Sequence, residues 1–253
     1  MIINSRNLKL LTVKILIVLI YTGFYHQSFS QNNFLNKFFK DFIFTTSLNY
    51  ISSATIQLNP NNSDLVERNS TTDVKGGYGY GFTLKKRIIG DDIYLGISTE
   101  YIKITDDQET DVVENAIDFQ TVHVSESLEV IPVEMSLYFN IPRFADNLNV
   151  YLGGGFGFYF GSRTRKMVGL ETSTISKDPM FSLNVLFGAE YMLDNHFSMN
   201  FEIKVRDGTY AIHSRFPTDR VRLNDQVYFF QQDLNSRIYV DGMKVSLGIG
   251  YFF

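Results

Sequence analysis

The sequence predicts an all-β protein: an eight-stranded, antiparallel, up-and-down transmembrane β-barrel behind an N-terminal signal peptide. Three observations support this fold class. Segments with alternating apolar and polar residues recur along the chain, the connections between them are alternately long and short, and the first 30 residues have the features of an export signal. Alternation with a period of two is typical of strands, and a barrel that crosses a bilayer needs an apolar outer face and a polar lumen.

The composition is compatible with this class and excludes several others. The chain has 253 residues, of which 15% are aromatic, with 23 Phe and 15 Tyr, and this fits the aromatic girdles of membrane barrels. An aromatic-rich soluble sandwich fits the composition equally well. The absence of cysteine excludes disulfides, thiol catalysis and cysteine metal sites. A formal net charge of −4 argues against nucleic acid as a partner.

The N-terminus has the pattern of a secretory signal. An apolar core at Ile15–Phe24 follows a basic front that contains Arg6, Lys9 and Lys14. Small residues at Ser28 and Ser30 place the expected cleavage before Gln31. The predicted domains are therefore a signal peptide at 1–30 and an outer-membrane barrel domain at 31–253.

The first four predicted strands span about 41–57, 74–87, 92–105 and 121–140. In the first, one face has Phe42, Phe44, Thr46, Leu48 and Tyr50. In the second, the outward residues are Tyr78, Tyr80, Phe82 and Leu84. In the third, one face has Ile93, Leu95, Ile97, Thr99 and Tyr101. In the fourth, it has Ile131, Val133, Met135, Leu137 and Phe139.

The last four predicted strands span about 147–161, 180–192, 196–207 and 242–253. The fifth has on one face Leu148, Val150, Leu152, Phe156, Phe158 and Phe160. The sixth has Phe181, Leu183, Val185, Phe187, Ala189 and Tyr191. The seventh has Phe197, Met199, Phe201, Ile203 and Val205. The eighth has Met243, Val245, Leu247, Ile249, Tyr251 and Phe253.

The connections distinguish the membrane barrel from the soluble sandwich. The long ones are 58–73, 106–120, 162–179 and 208–241, and the short ones are Ile88–Asp91, Pro142–Asp146 and Leu193–Asn195. Membrane barrels have short periplasmic turns and longer outer loops, whereas a sandwich has no reason to alternate in this way. The fourth long connection has two interpretations, an outward hairpin or a ninth and tenth strand.

The fourth strand contains an irregularity. Leu128 and Val130 have the opposite phase from Ile131, and Pro132 lacks a ladder N–H group. The sequence therefore predicts a β-bulge at this point.

Charged residues fall on the inward face of the predicted strands. They form a predicted lumen polar network of Lys85, Glu100, Glu134, Glu190, Glu202, Lys204, Arg206 and Lys244. A charge inside a narrow barrel must be paired or hydrated, so the network is either a gated polar path or a salt-bridged plug. We expect the plug, because eight strands leave an interior only just wide enough for side chains.

The long connections contain three further candidate sites. Acidic residues at Asp106, Asp107, Glu109, Asp111, Glu114 and Asp118 suggest either a Ca²⁺ or Mg²⁺ site or a solvated loop, and the latter is expected because the spacing is not that of an EF-hand. Cations at Arg163, Arg165 and Lys166 are a candidate contact for lipopolysaccharide phosphates. His123 with Ser125, and His213 with Ser214, are the His/Ser pairs close enough in sequence to suggest catalysis.

The signal peptide, the amphipathic strands and the alternating loops together resemble small outer-membrane barrels of the OmpA/OmpX type. The segment Leu128-Glu129-Val130-Ile131-Pro132 is similar to the "LEVP" strand of the PorT-like outer membrane protein beta-barrel domain, with Ile131 inserted before the proline. The resemblance implies that Leu247, Ile249, Tyr251 and Phe253 form the signal that the barrel-assembly machinery recognises.

Together these observations predict an integral outer-membrane β-barrel with a filled polar lumen and a structural or interaction role through its extracellular loops, which the PorT-like resemblance links to secretion. The alternatives are a narrow channel for ions or small solutes and a lipid-modifying enzyme. We expect no catalytic residues, no cofactor, no metal and no enzymatic activity. The expected partners are outer-membrane lipid, lipopolysaccharide, the barrel-assembly machinery and an unidentified envelope protein, with no nucleic acid.

Overall fold

A computed structural model describes residues 40–253, except positions 91 and 146. The predicted signal peptide at 1–30 lies outside the described residues. The strands are β1 (Phe42–Gln57), β2 (Thr71–Ile89), β3 (Ile93–Glu114), β4 (Phe119–Ala145), β5 (Leu148–Met167), β6 (Leu170–Glu171), β7 (Ser173–Met192), β8 (Phe197–Arg206), β9 (Gly208–Arg215), β10 (Arg220–Leu223), β11 (Gln226–Phe229), β12 (Asp233–Val240) and β13 (Lys244–Phe252). A helical turn, α1, spans Leu65–Arg68. No helix among the described residues has the length and apolarity needed to cross a bilayer.

Eight of these strands form a hydrogen-bonded ring. The ring runs in the order β1, β2, β3, β4, β5, β7, β8 and β13, with every neighbouring pair antiparallel. It closes between β1 and β13, where the paired residues run from Ile43 with Phe252 to Ile51 with Lys244. The predicted eight-stranded antiparallel barrel is therefore confirmed, and closure leaves the membrane-spanning sheet without an exposed edge.

The outer face of the ring has an apolar band of the height that a membrane requires. On β4 the exposed side chains from Val133 to Phe139 are all apolar, and on β8 the same holds from Phe197 to Val205. These spans are seven residues on β4 and nine on β8, close to the 9–11 residues with which a tilted strand crosses the hydrocarbon core. Tyr50 and Tyr78, whose ring centroids are 5.2 Å apart, lie at one border of the apolar band. We call this border the upper girdle.

Several strands continue far beyond the upper girdle. β3 and β4 run on to a turn at 115–118, and β5 continues to Met167. The predicted loops at 106–120 and 162–179 were therefore wrong, because most of their residues are paired in strands. We call the part of the sheet beyond the membrane-spanning ring the extracellular extension.

The fourth long connection is neither a simple outward hairpin nor a ninth and tenth strand of the ring. Within it, β9 follows β8 after Asp207 and pairs with β7, while β12 leads into β13 and pairs with β1. β9 and β12 also pair with each other along their whole length. These two strands therefore extend strands of the ring outward. A hairpin is present at their far end, formed by β10 and β11.

The polarity of the sheet inverts between the membrane-spanning ring and the extracellular extension. On β4 the inward residues are Ser136 and Glu134 in the ring and then Val130 and Leu128 in the extension, with all four side chains buried. The registers with β3 and β5 continue without a shift through Pro132. The predicted bulge was therefore wrong: Leu128 and Val130 keep the inward phase, and the lumen itself changes from polar to apolar at this height.

Four layers fill the interior. Nearest the periplasm is the charged lumen network. Next is an apolar layer contributed by seven strands, which consists of Ile51, Ala54, Ile56, Val74, Ile102, Ile104, Leu128, Val130, Tyr159, Tyr210, Ile212, Ile238 and Val240. Beyond it is an upper ion cluster of Asp111, Glu126, Arg163 and Arg165. The outermost layer is an apolar cap of Val113, Val124, Met167, Phe216 and Tyr228.

Candidate functional site

The lumen network contains all eight charged residues that the sequence assigned to the inward face. Each is at least nine-tenths buried: Lys85, Glu100, Glu134, Glu190, Glu202, Lys204, Arg206 and Lys244. They lie on six strands, because the inward positions of neighbouring strands meet at similar heights in the ring. Four bases and four acids give the network a formal charge of zero, which is the condition for keeping so many charges out of bulk water.

Ion pairs join most of these groups into one cluster. Lys204 Nζ lies 2.6 Å from Glu134 Oε2, and Arg206 forms an ion pair with Glu100. Lys244 Nζ lies 3.6 Å from both Glu100 Oε2 and Glu202 Oε1, and it therefore links two carboxylates. Removing any one charge from such a network is destabilising, because the remaining buried charges lose an ion-pair partner that solvent cannot replace.

Three buried tyrosines complete the network. Tyr159 donates a hydrogen bond of 2.6 Å to Glu134, and Tyr151 donates one of 3.3 Å to Glu202. Lys85 Nζ lies 4.5 Å from the ring centroid of Tyr151 and 4.8 Å from that of Tyr138. A buried ammonium group over aromatic faces gains electrostatic stabilisation without a carboxylate. Lys85 is thus held in the network by rings as well as by the field of nearby acids.

These three tyrosines are buried at inward positions of β4 and β5, and none of them was predicted to be part of the site. A usable signal was present, because each large ring lies over a glycine. Tyr151 is the direct cross-strand partner of Gly188, and a Cβ on that glycine would lie 2.2 Å from the Tyr151 ring. A Cβ on Gly96 would lie 2.6 Å from the Tyr138 ring. The glycines therefore leave the space that the tyrosine rings occupy.

The interior leaves little room for solutes. The cavity inside the network, beside Asn49, Glu100 and Glu134, has a volume of about 10 Å³. That is about the space of one water molecule. Directly beyond the network, the apolar layer contains side chains that are completely buried, including Ile102 and Leu128. The geometry is that of a filled barrel with a wider cavity of about 480 Å³ at the periplasmic end.

The upper ion cluster changes the interpretation of the third long connection. Arg163 donates two hydrogen bonds to Glu126, of 2.9 and 2.6 Å, and Arg165 donates one of 2.9 Å to the same carboxylate. Arg165 also donates to Asp111 at 2.7 Å. Arg163 is only 1% exposed and Arg165 is 7% exposed. Their predicted contact with lipopolysaccharide was therefore wrong, because both guanidinium groups point into the extension. Lys166 is exposed, and its Nζ lies 3.1 Å from Glu171 Oε2.

The acidic stretch of the second long connection does not converge on a point. Asp106 is buried and accepts a hydrogen bond from the backbone of Lys75, whereas Asp111 binds Arg165. Asp107 accepts a hydrogen bond from Ser125. Across residues 40–253, apart from positions 91 and 146, no group of three or more His, Cys, Asp or Glu side chains is arranged to hold a metal ion.

The two His/Ser pairs are placed differently from each other. Ser214 is fully buried, whereas His213 faces outward and its Nε2 lies 3.1 Å from Asp233 Oδ1. Arg215 donates a hydrogen bond of 2.6 Å to the same oxygen, and this bond holds the pKa of Asp233 below its ordinary value. On β4, the Ser125 hydroxyl binds Asp107 and not His123. Neither pair forms a Ser–His hydrogen bond that would identify a nucleophile.

The predicted assembly signal lies on the lipid-facing side of β13 and just beyond its end. Leu247, Ile249 and Tyr251 are outward on the strand, and Phe253 is 53% exposed. Tyr251 contacts the ring of Phe253, with centroids 4.9 Å apart. Recognition of these residues by the barrel-assembly machinery stays a prediction.

Comparisons with known proteins agree with this architecture. Residues 44–253 match the family model described as "Outer membrane protein beta-barrel domain". The structure is similar to the outer membrane protein OprG from Pseudomonas aeruginosa, with 15% identity, a TM-score of 0.54, and coverage of 85% of this chain and 96% of that one. It is also similar to Neisserial surface protein A, with 12% identity, a TM-score of 0.46, and coverage of 85% and 98%. A search of curated proteins found no match.

The comparisons correct one expectation. Among the similar solved structures is the outer membrane protease OmpT from Escherichia coli, with 10% identity, a TM-score of 0.47, and coverage of 84% of this chain and 96% of that one. The expectation that the chain has no enzymatic activity was therefore wrong as an inference from the fold, because similar barrels include an enzyme. This likeness assigns no activity to the present chain.

Proposed function

This chain belongs to the outer membrane protein beta-barrel domain family and is located in the outer membrane, and from that premise we propose that it is a closed barrel whose extracellular extension presents a surface for protein contact. The observation that supports the proposal best is an exposed apolar face at the far end of the extension. We call it the tip face and define it as Val112, Phe119, Val227 and Phe229.

The tip face is one continuous side of a small sheet. Glu114 on β3 is paired with Phe119 on one side and with Phe229 on the other, so the three side chains lie on the same face. Val112 and Val227 precede Glu114 and Phe229 by two residues and share that face. The opposite face of the same sheet is buried in the apolar cap. Both sides of this sheet are therefore largely apolar, although only one of them is covered.

The tip face is too far from the bilayer for lipid to cover it. Lys103 on β3 is paired with Tyr78 of the upper girdle, and Glu114 lies 11 residues beyond Lys103. This is about 36 Å along a strand, or about 28 Å above the upper girdle at a tilt of about 40°. Phe119 is 68% exposed and Phe229 is 47% exposed at that height. Large apolar side chains that are exposed to water together on one face mark an interaction site more often than an ordinary surface.

The interior supports a contact role over conduction. A solute path would have to pass through the lumen network and then through the apolar layer, whose members on β3 and β4 have no exposed surface. Ions pass an apolar constriction only when it is wide enough to hold water. A structural and contact role needs no such path.

Photo-crosslinking in intact cells tests the proposal. A photoreactive amino acid at Phe119 or Phe229 is expected to yield a discrete protein adduct, because these side chains would lie in the interface. The matched control is the same amino acid at Phe187, which is 44% exposed on the lipid-facing side of β7 and should yield no protein adduct. The proposal would be contradicted if neither tip position yielded an adduct, or if Phe187 yielded the same adduct.

A further inference from the structure

Next to the tip face, the extracellular extension has an open sheet edge. β10 pairs with β11 through a two-residue turn at Asn224 and Asp225, whose positive φ angles of 48° and 63° are those of a tight hairpin turn. Among the described residues, no strand pairs with the other side of β10. The sheet that contains the tip face therefore ends in an unpaired strand, unlike the closed ring in the membrane.

The register shows which backbone groups this edge presents. Phe230 N–H donates to the Asp219 carbonyl at 3.0 Å, so Asp219 and Phe230 form a hydrogen-bonded pair. Hydrogen-bonded and non-hydrogen-bonded pairs alternate in antiparallel sheets, and the next pair is Arg220 with Phe229. The amide groups of Arg220 and Arg222 therefore point away from β11. The Arg220 N–H is 3.3 Å from the Thr218 hydroxyl. The edge offers the Arg222 N–H and the carbonyls of both arginines.

The side chains along the edge define what would fit beside it. Arg220 and Arg222 lie on the same face as Val227 and Phe229, with side chains 64% and 71% exposed. Their nearby aspartates, Asp219 at 3.2 Å and Asp225 at 3.4 Å, are themselves at least half exposed, and such surface pairs exchange readily. On the other face, Val221 and Leu223 pack against the apolar cap and are partly exposed at the rim.

We propose that the extracellular extension binds an extended segment of a partner protein as an added strand along β10, and that this segment alternates acidic and apolar residues. The partner backbone would pair with the Arg222 N–H and with the carbonyls of Arg220 and Arg222. Its acidic side chains would face the two arginines, and its apolar side chains would cover Val221 and Leu223. Strand addition of this kind takes affinity from the main chain and specificity from alternate side chains. The inference rests on the proposed contact function and identifies the chemistry of the partner.

A second copy of this chain is a poor occupant of the same edge. Antiparallel pairing of β10 with another β10 would place arginines opposite arginines, and like charges that are directly opposed weaken a strand pair. The same two arginines that favour an acidic strand therefore discourage self-association through this edge.

The first experiment uses the full barrel in lipid nanodiscs and three fluorescent peptides. One eight-residue peptide alternates valine with glutamate, the second alternates valine with lysine, and the third has the composition of the first with the four glutamates grouped. Fluorescence anisotropy is expected to show binding of the alternating glutamate peptide at least about tenfold tighter than either of the others, since each opposed charge pair and each edge hydrogen bond contributes. Equal binding of all three peptides, or binding of none, would overturn the proposal. Binding of none is expected if the charges on β10 serve only to prevent strand pairing at this edge.

Variants at the edge separate backbone pairing from charge. Arg222→Ala removes one charge and keeps the N–H, whereas Arg222→Pro removes both and leaves the hydrogen bonds between β10 and β11 in place. Arg222→Pro is therefore expected to weaken binding further than Arg222→Ala, while far-UV circular dichroism stays unchanged. The double variant Arg220→Glu/Arg222→Glu should prefer the lysine peptide. Equal binding by the alanine and proline variants, or an unchanged preference of the double variant, would show that β10 does not accept a strand.

The outcomes for the two proposals are distinguishable. A protein adduct at Phe229 together with no peptide binding would retain the contact function and reject strand addition. Loss of both the adduct and the peptide binding would reject both. An adduct that contains only a second copy of this chain would reject the acidic strand and identify self-association as the use of the tip face.

Discussion

Replacing Glu134 with leucine is expected to lower the free energy of unfolding by about 3–5 kcal/mol, because it leaves buried charges without their partner. Glu134 accepts hydrogen bonds of 2.6 Å from both Lys204 and Tyr159. None of these groups reaches bulk water, since Lys204 is 1% exposed. The measurement is urea unfolding in lipid vesicles, followed by circular dichroism because the chain has no tryptophan.

A double-mutant cycle distinguishes a paired network from simple loss of packing. Lys204→Met alone should destabilise the barrel similarly, but Glu134→Leu combined with Lys204→Met should cost at least about 1 kcal/mol less than the sum of the single effects. Met135→Leu, at the adjacent lipid-facing position, is the control and should change stability by less than about 0.5 kcal/mol. Additive single effects would contradict the network.

Truncating Leu128 to alanine is expected to destabilise the extracellular extension by about 2–5 kcal/mol. The side chain has no exposed surface and lies within the apolar layer, so its removal leaves a cavity. Ser127→Ala, at the neighbouring outward position on β4, should change stability by less than about 0.5 kcal/mol. Urea unfolding of both variants tests the inverted polarity. A larger effect at Ser127 than at Leu128 would mean that the strand has the opposite phase.

The membrane-spanning ring could be predicted from the sequence because lipid imposes a simple rule on it. A strand such as β8 must place every second residue in hydrocarbon, and Phe197–Val205 accordingly alternates without exception. The lumen network could be predicted from the same alternation, since charged residues at the inward positions of a closed ring necessarily lie close together in the lumen. Pairing between particular residues, such as Lys204 with Glu134, depends on strand register, which alternation does not specify.

The extracellular extension was missed because the rule reverses there. Above the upper girdle, water surrounds the sheet and the apolar residues face inward. Strands in this region therefore lack the outward apolar residues by which the membrane strands were identified, and they were predicted to be loops. Leu128 and Val130 then have the wrong phase for a membrane strand, although their backbone continues without a bulge. Arg163 and Arg165 were assigned to an exposed loop for the same reason. Their partner Glu126 lies on another strand and could be identified only once β4 and β5 were aligned.

Single-channel recording from the purified protein in planar bilayers tests most directly that the interior of the barrel is closed. The structure leads us to expect no stepwise conductance, because the apolar layer separates the lumen network from the extracellular side. The Arg206→Gln variant should show no conductance either, since the apolar layer, and not the lumen network, blocks the path. Uniform conductance steps in the unaltered protein that change in size with Arg206→Gln would contradict a closed interior and would establish a channel through the lumen.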